Sequence, residues 1–165
     1  MNYFDTQDKS LCCGCTACAS ICPTQCIAMR QDQDGFAYPV IDNAKCIDCG
    51  LCKKVCPFAN SARLKNQAAK DCYALAINDQ DILKKSASGG AFSAIMQAFC
   101  DRNFIIFGSE MDADLKVKHT FSNSLEDAAK FRKSKYVKSD INNSYILARQ
   151  ALKEGKKVLF TGTGC

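Results

Sequence analysis

Residues 12–23 read CCGCTACASICP and residues 46–57 read CIDCGLCKKVCP. Each stretch contains Cys-x2-Cys-x2-Cys-x3-Cys-Pro, at Cys12, Cys15, Cys18 and Cys22 and again at Cys46, Cys49, Cys52 and Cys56. Three thiolates two residues apart can wrap one corner of a polynuclear metal cluster in a tight loop, and the fourth then points away from it. Zinc prefers separated Cys-x2-Cys pairs and has no use for a third cysteine two residues on. A disulfide scaffold belongs to an exported chain, and Met1–Asp5 carries neither a basic region nor an apolar run that would read as a secretory signal. Thirteen cysteines in 165 residues are therefore expected to serve a metal centre. Pro23 and Pro57 end the two loops by fixing φ. Gly14 and Gly50 are expected to play matching parts, where a missing Cβ admits backbone close to the cluster.

The double run resembles that of bacterial two-cluster ferredoxins, in which the last cysteine of each run ligates the other cluster. The resemblance implies two [4Fe–4S] clusters. One would be held by Cys12, Cys15, Cys18 and Cys56, the other by Cys46, Cys49, Cys52 and Cys22. Such a crossing staples together a unit too small to fold on its own core. Within this half of the chain two further cysteines are surplus. Cys13 adjoins Cys12 and could replace it by a slip of register, although the regular second run favours Cys12. Cys26 reads as a small buried residue. Between the runs, Asp34-Gly35 signals a hairpin, entered by Ile27 and Met29 and left by Phe36, Tyr38 and Val40, with Phe36 and Tyr38 expected to pack the core or shield a cluster.

The formal charge of +5 counts every cysteine as a neutral thiol. Two thiolate-bound clusters at about −2 each would bring the total to about +1, so basicity is a poor argument for nucleic acid. No stretch approaches the ~18 apolar residues of a spanning helix.

After Phe58 the composition changes. We expect a two-cluster domain at 1–59, a polar linker at 60–71 and an α/β domain at 72–165, giving an α+β chain overall. Residues 72–77 (CYALAI) suit a buried strand. Phe92, Ile95, Met96 and Phe99 mark one face of a helix over 91–100. Residues 104–107 suit a strand ended by Gly108, and 115–121 another, with Leu115, Val117 and His119 on one face. Ser124 and Asp127 suit the start of a short helix. Ile141, Tyr145, Ala148 and Leu152 mark a helix closing near Gly155, and 157–160 a last strand before the turn Thr161-Gly162-Thr163-Gly164-Cys165. A strand running into a glycine-rich turn normally feeds a helix, so the chain is expected to be a fragment of a longer protein.

Two places in this half suit an anionic cofactor: Ser86-x-Ser88-Gly89-Gly90 before a helix, and Thr161–Gly164 after a strand. Each has an ordinary structural reading as well, and neither is a dinucleotide fingerprint or a Walker A sequence. Lys130, Arg132, Lys133, Lys135 and Lys138, with Tyr136 among them, form a basic cluster that suits a flavin dinucleotide, an acidic partner, nucleic acid or plain solvent. His119, the sole histidine, has no evident acid partner, and no Ser-His-Asp arrangement supports hydrolysis.

The cysteine runs followed in order by KSASGGAFSAI, KSKYVKSD and KVLFTGTGC resemble the coenzyme F420 hydrogenase/dehydrogenase beta-subunit family over about Leu11–Cys165. Members are iron–sulfur flavoproteins that pass electrons between clusters, FAD and a soluble partner such as reduced F420. The resemblance implies that Ser88, Gly89 and Gly90 belong to the flavin-binding helix start. It places Lys135, Tyr136 and Ser139 on a segment bordering the flavin, and Thr161, Gly162 and Thr163 in the following turn. The family's last motif usually has proline where Gly164 stands here, and its name does not fix F420 as substrate. The expected function is thus the N-terminal part of an electron-relaying, flavin-dependent oxidoreductase, with a redox partner protein or small molecule as donor or acceptor. The alternative is a stand-alone ferredoxin-like carrier without flavin; a nucleic-acid-binding role is the weakest of the three. Surplus thiols and cubanes favour a reducing cytoplasm, with peripheral association to a complex compatible with the sequence.

Overall fold

The computed structural model describes residues 3–61 and 71–163. Most of the linker expected at 60–71, together with Gly164 and Cys165, lies outside the described residues. The chain mixes helices with small sheets, and it divides into two compact units, one within Met1–Lys70 and one within Asp71–Gly164.

The first unit is built around a two-stranded antiparallel hairpin, β1 (Ile27–Gln31) and β2 (Ala37–Ile41), with Ile27 opposite Ile41 and Met29 opposite Pro39. Three short helices accompany it: α1 (Tyr3–Thr6), α2 (Ala17–Ile21) and α3 (Leu51–Val55). The turn is organised by Asp32, whose carboxylate accepts the amides of Asp34 and Phe36 at 3.0 Å and the Lys9 ammonium at 2.5 Å. Gly35 supplies the left-handed residue at φ 82°. The Lys9 bond above all holds the Asp32 carboxyl below its ordinary range. The stability this lends is present above the unfolded carboxyl value and lost as pH falls through the depressed one.

The hairpin is where Asp34-Gly35 puts it, but its faces are reversed. Pro39 is buried and Ile41 packs on the core, whereas Phe36 is 60% and Val40 50% exposed. Because strand side chains alternate, an apolar run offers two phases, and Met29 and Ile27 select the one that brings Pro39 and Ile41 inward. Tyr38 stacks on Tyr3 of α1, ring centroids 5.6 Å apart, rather than entering the core. The core itself is small: Cys18, Cys26 and Ile27 are buried, with Phe4, Met29 and Ile41 among the residues packed on them.

The second unit carries a three-stranded sheet in the order β4–β3–β5, with β3 (Phe104–Met111) antiparallel to β4 (Val117–Ser122) and parallel to β5 (Lys157–Phe160). Alternation sends Ile105 and Phe107 to one face, against Ala148 and Ala151 of α6 (Ser144–Lys153), and Ile106 to the other. There Ile106 meets Met96 and Cys100 from the region of α5 (Ala91–Phe99), together with Ala128 and Phe131 of a 3-10 helix at Asp127–Phe131. A short α4 (Gln80–Lys84) is capped by the Asp79 carboxylate.

Several expectations change. Residues 72–77 form no strand; they run exposed, with Tyr73 at 84% and Leu75 at 52% accessibility, and the Ile77 amide donates to the Gly89 carbonyl at 2.8 Å. The buried face of α5 carries Ser93 and Met96, leaving Ile95 and Phe99 exposed. That of α6 carries Ser144, Ala148 and Ala151, leaving Leu152 exposed. The two serines are inside because their hydroxyls are bonded there, Ser93 accepting from Arg132 and Ser144 donating to the His119 carbonyl. Gly108 does not end β3 but continues it. A Cβ there would stand 2.6 Å from the Phe131 ring, so glycine marks a close approach. Leu115 lies before β4, in a turn copying that of the first hairpin: Asp112 accepts the amides of Asp114 and Lys116, and Leu115 takes the left-handed place at φ 60°.

Two substitutions test these assignments. Gly108→Ala should cost about 1–3 kcal/mol, because Phe131 must shift in a packed layer. Leu115→Gly should gain about 0.5–1 kcal/mol, the relief of a left-handed leucine less the extra freedom of unfolded glycine. Unfolding midpoints falling for the first and rising for the second are the expected result.

Candidate iron–sulfur centre

The two cysteine loops are conformational copies. In the first, Gly14 (φ 61°) and Thr16 (φ 63°) are left-handed and α2 begins at Ala17; in the second, Asp48 (φ 50°) and Gly50 (φ 68°) are left-handed and α3 begins at Leu51. Gly14 therefore corresponds to Asp48, and Gly50 to Thr16, so the two glycines do not occupy matching places. Alternating left-handed residues curl the chain and turn successive amides inward, an arrangement suited to anions. One such amide, of Gly14, donates to Cys12 Sγ at 3.4 Å. Each loop ends in a five-residue helix whose C-cap is the fourth cysteine, extended at φ −67°, ψ 116° for Cys22 and φ −65°, ψ 123° for Cys56. Helical rise places Cys18 and Cys22 about 6 Å apart along the α2 axis, and α3 does the same for Cys52 and Cys56.

An opening of about 370 Å³, partly continuous with solvent, is lined by Cys12, Cys15 and Cys18 of the first run and by Cys56 of the second. Those four thiols are the set that a crossed arrangement requires. The remaining wall is largely apolar and includes Tyr3, Phe4, Met29, Pro39 and Phe58. Such a wall excludes water and lowers the local dielectric, two of the levers that set a cluster's potential. The residues present fit a [4Fe–4S] cluster. Cys13 also lines the opening, so five thiols surround it, and the Gly14 amide donates to the Cys12 sulfur. Among the described residues no three His, Cys, Asp or Glu side chains close around a single metal ion.

Cys22 lies apart from this group, with its sulfur 3.4 Å from that of Cys26 and 3.6 Å from the Thr24 hydroxyl. Cys26 also reaches the thiol of Cys46, so it links the end of the first run to the start of the second. Cys26 is buried, as its packing position predicts. Burial pushes the Cys18 thiol up to about 12, with the neighbouring Cys15 adding to the effect. Burial likewise raises Cys52, with the charges of Cys49 and Cys46 in support. Burial would also raise Cys22, but hydrogen bonds from Thr24 and Cys26 outweigh it and bring that thiol down to about 7. Metal binding at Cys18 would displace the thiol proton.

In the second unit, the residues expected at a flavin fall in several places. Ser139, Thr161 and Gly162 gather around His119: its Nδ1 lies 2.7 Å from Ser139 Oγ and its Nε2 2.9 Å from the Thr161 carbonyl, and a Cβ on Gly162 would stand 3.6 Å from that Nε2. The carbonyl accepts from Nε2–H, so Nδ1 of neutral His119 accepts from the Ser139 hydroxyl. His119 is buried and stacks on Phe160 at 5.5 Å. Thr163 is exposed beyond this group. Gly89 and Gly90 abut Leu75–Ile77, where a Cβ on Gly89 would meet the Leu75 carbonyl oxygen at 2.0 Å, and Ser88 is exposed beside them. Lys135 donates to the carbonyls of Arg132 at 2.8 Å and Lys130 at 3.1 Å, while Tyr136 is 95% exposed. The basic cluster is also partly engaged: Lys130 pairs with Asp127 and Glu110, and Arg132 donates to the buried Ser93 hydroxyl. Sequence alone gave no sign that His119 would be the hub joining Ser139 to Thr161, because the partners lie 20 and 42 residues away.

Residues 11–60 match the family model of the 4Fe-4S dicluster domain. This first part of the chain is an iron–sulfur, ferredoxin-like domain of the kind that carries [4Fe–4S] clusters and transfers electrons. No curated protein matches the chain. Among the described residues no helix is long and apolar enough to cross a membrane.

The ligand set has a direct test. Cys56→Ser should lower anaerobically reconstituted iron from about eight to about four per chain, whereas Cys13→Ser should leave it unchanged. Loss of iron in the Cys13 variant would instead mean that the register is shifted by one.

Proposed function

We infer that this chain is the N-terminal part of a flavin-dependent oxidoreductase that relays electrons between two [4Fe–4S] clusters, FAD and a redox partner or small-molecule substrate. Cys12, Cys15, Cys18 and Cys56 would hold one cluster and Cys22, Cys46, Cys49 and Cys52 the other. The observation that carries the electron-relay reading is the opening lined by thiols of both runs. A cluster supplies one-electron steps, and a flavin couples them to two-electron chemistry. The protein's part is placement: the left-handed loops aim amides at sulfur, the apolar wall keeps water away, and α2 and α3 hold their end cysteines apart.

The flavin part of this reading is supported by the grouping of Ser139, Thr161 and Gly162 around His119 at the C-terminal end of β5, the end at which open α/β sheets bind ligands. F420 and its bacterial substitutes are the candidate substrates implied by the motif order, and the cytoplasm is the compartment in which these thiols would stay reduced. The stand-alone carrier is the second reading. It is favoured by Gly89, Gly90 and Lys135, each of which packing or backbone hydrogen bonds already account for.

Iron, sulfide and flavin content after anaerobic reconstitution separates the two. About eight iron and eight sulfide per chain are expected for two clusters, and four or fewer would overturn the relay. Stoichiometric FAD, lost or weakened in Ser139→Ala, is the result expected of the flavoprotein; full iron with no flavin leaves the carrier.

A further inference from the structure

Thr16 is out of place by two independent measures. It is β-branched and sits at φ 63°, a region such residues rarely enter; its counterpart in the second loop is glycine, for which that conformation is open. Its hydroxyl also goes unused. A threonine in the position before a helix normally caps a backbone amide, yet Thr16 makes no such bond to α2. Its Oγ1 is enclosed and has no hydrogen-bond partner. A fold that strains a residue and then buries its hydroxyl unpaired pays twice, unless something else takes up the hydroxyl.

The position says what that is. Thr16 lies between Cys15 and Cys18 and lines the opening they share with Cys12 and Cys56. Thiolate and inorganic sulfide are acceptors without a proton to give, and a hydroxyl is the complementary donor. We propose that Thr16 Oγ1 donates a hydrogen bond to a sulfur of the cluster held by Cys12, Cys15, Cys18 and Cys56, and so raises that cluster's reduction potential. Added negative charge on the reduced cluster strengthens such a bond, so the donor stabilises the reduced state more than the oxidised one. Gly50 can offer the other cluster no equivalent. That cluster instead has the Thr24 hydroxyl and the Cys26 thiol near its expected ligand Cys22, so the two centres are tuned by different groups and can be tuned separately.

The inference rests on both clusters being bound, and the test keeps the two claims apart. Wild type, Thr16→Gly and Thr16→Ser are reconstituted anaerobically, analysed for iron and sulfide, and titrated potentiometrically with EPR detection. Thr16→Gly removes the hydroxyl and gives the loop the conformation of its twin; it should load both clusters and show one of the two midpoint potentials shifted downward, the other unmoved. Thr16→Ser keeps a hydroxyl and should restore the shifted value. Full loading with both potentials unchanged in Thr16→Gly overturns the inference. Equal shifts in the glycine and serine variants overturn it as well, since packing rather than the hydroxyl would then be responsible. Wild-type iron at about half the expected content or less overturns the two-cluster reading itself. Should Thr16→Gly load poorly, Thr16→Val removes the same donor at nearly the same volume, and its potentials decide the matter by the same criterion.

Discussion

The end of α3 delivers Cys56 to an opening whose other thiols come from a loop some forty residues earlier, and the proposed role of the first unit depends on that meeting. With a core of Cys18, Cys26, Ile27 and Pro39 among the described residues, hydrophobic burial is small against the conformational entropy of ordering two loops, three short helices and a hairpin. What the apolar core lacks, bonds through a metal centre can supply. With the ligand set proposed above, folding and metal loading in this unit would be one equilibrium. Each loop is shaped by paired left-handed residues, and in the first an amide is directed at Cys12 sulfur.

The second unit rests on different physics. Its sheet is covered on both faces, by α6 on one and by α5 with a 3-10 helix on the other, and its centre is Ile106 and Phe107, both fully buried. Close packing decides identities there in a way that chemistry decides them at the cysteines. Gly108 is glycine because Phe131 lies over it, and Gly89 because the chain at Leu75 passes against it. The Ser139–His119–Thr161 grouping is likewise a packed, hydrogen-bonded arrangement first, and only on that footing a place for a ligand.

How much of this was legible in the sequence follows the range of the information. Cysteine spacing is local, and a regular spacing constrains loop shape directly, so the iron–sulfur character of residues 11–60 could be read at once. The helices at 91–99 and 144–153 and the strand at 157–160 were legible as elements for the same reason. Their faces were not. Ser93 and Ser144 take the interior because their hydroxyls bond Arg132 and the His119 carbonyl, and hydrophobicity gives no hint of that. The phase of β2 was ambiguous because Phe36, Tyr38 and Val40 are as apolar as Pro39 and Ile41; the choice lay in the partner strand. Residues 72–77 have the composition of a strand but no neighbour among the described residues to pair with. The equivalence of Thr16 with Gly50 was present in the spacing, yet its meaning depended on a dihedral angle and an unpaired oxygen that only coordinates supply.

The sheet order also has a bearing on how this protein behaves in concentrated solution. The outer side of β4 is partly covered, since His119 and Val117 exchange backbone hydrogen bonds with Asp140. Among the described residues β5 has a neighbour only on its β3 side. Its outer edge, Lys157-Val158-Leu159-Phe160, therefore presents a row of backbone donors and acceptors to any extended segment that comes alongside. Four residues is a short template, and brevity is one device that keeps exposed edges from polymerising; its first residue, Lys157, is paired with Asp101. Brevity limits pairing along that edge, and an extension of the strand would offer a longer template.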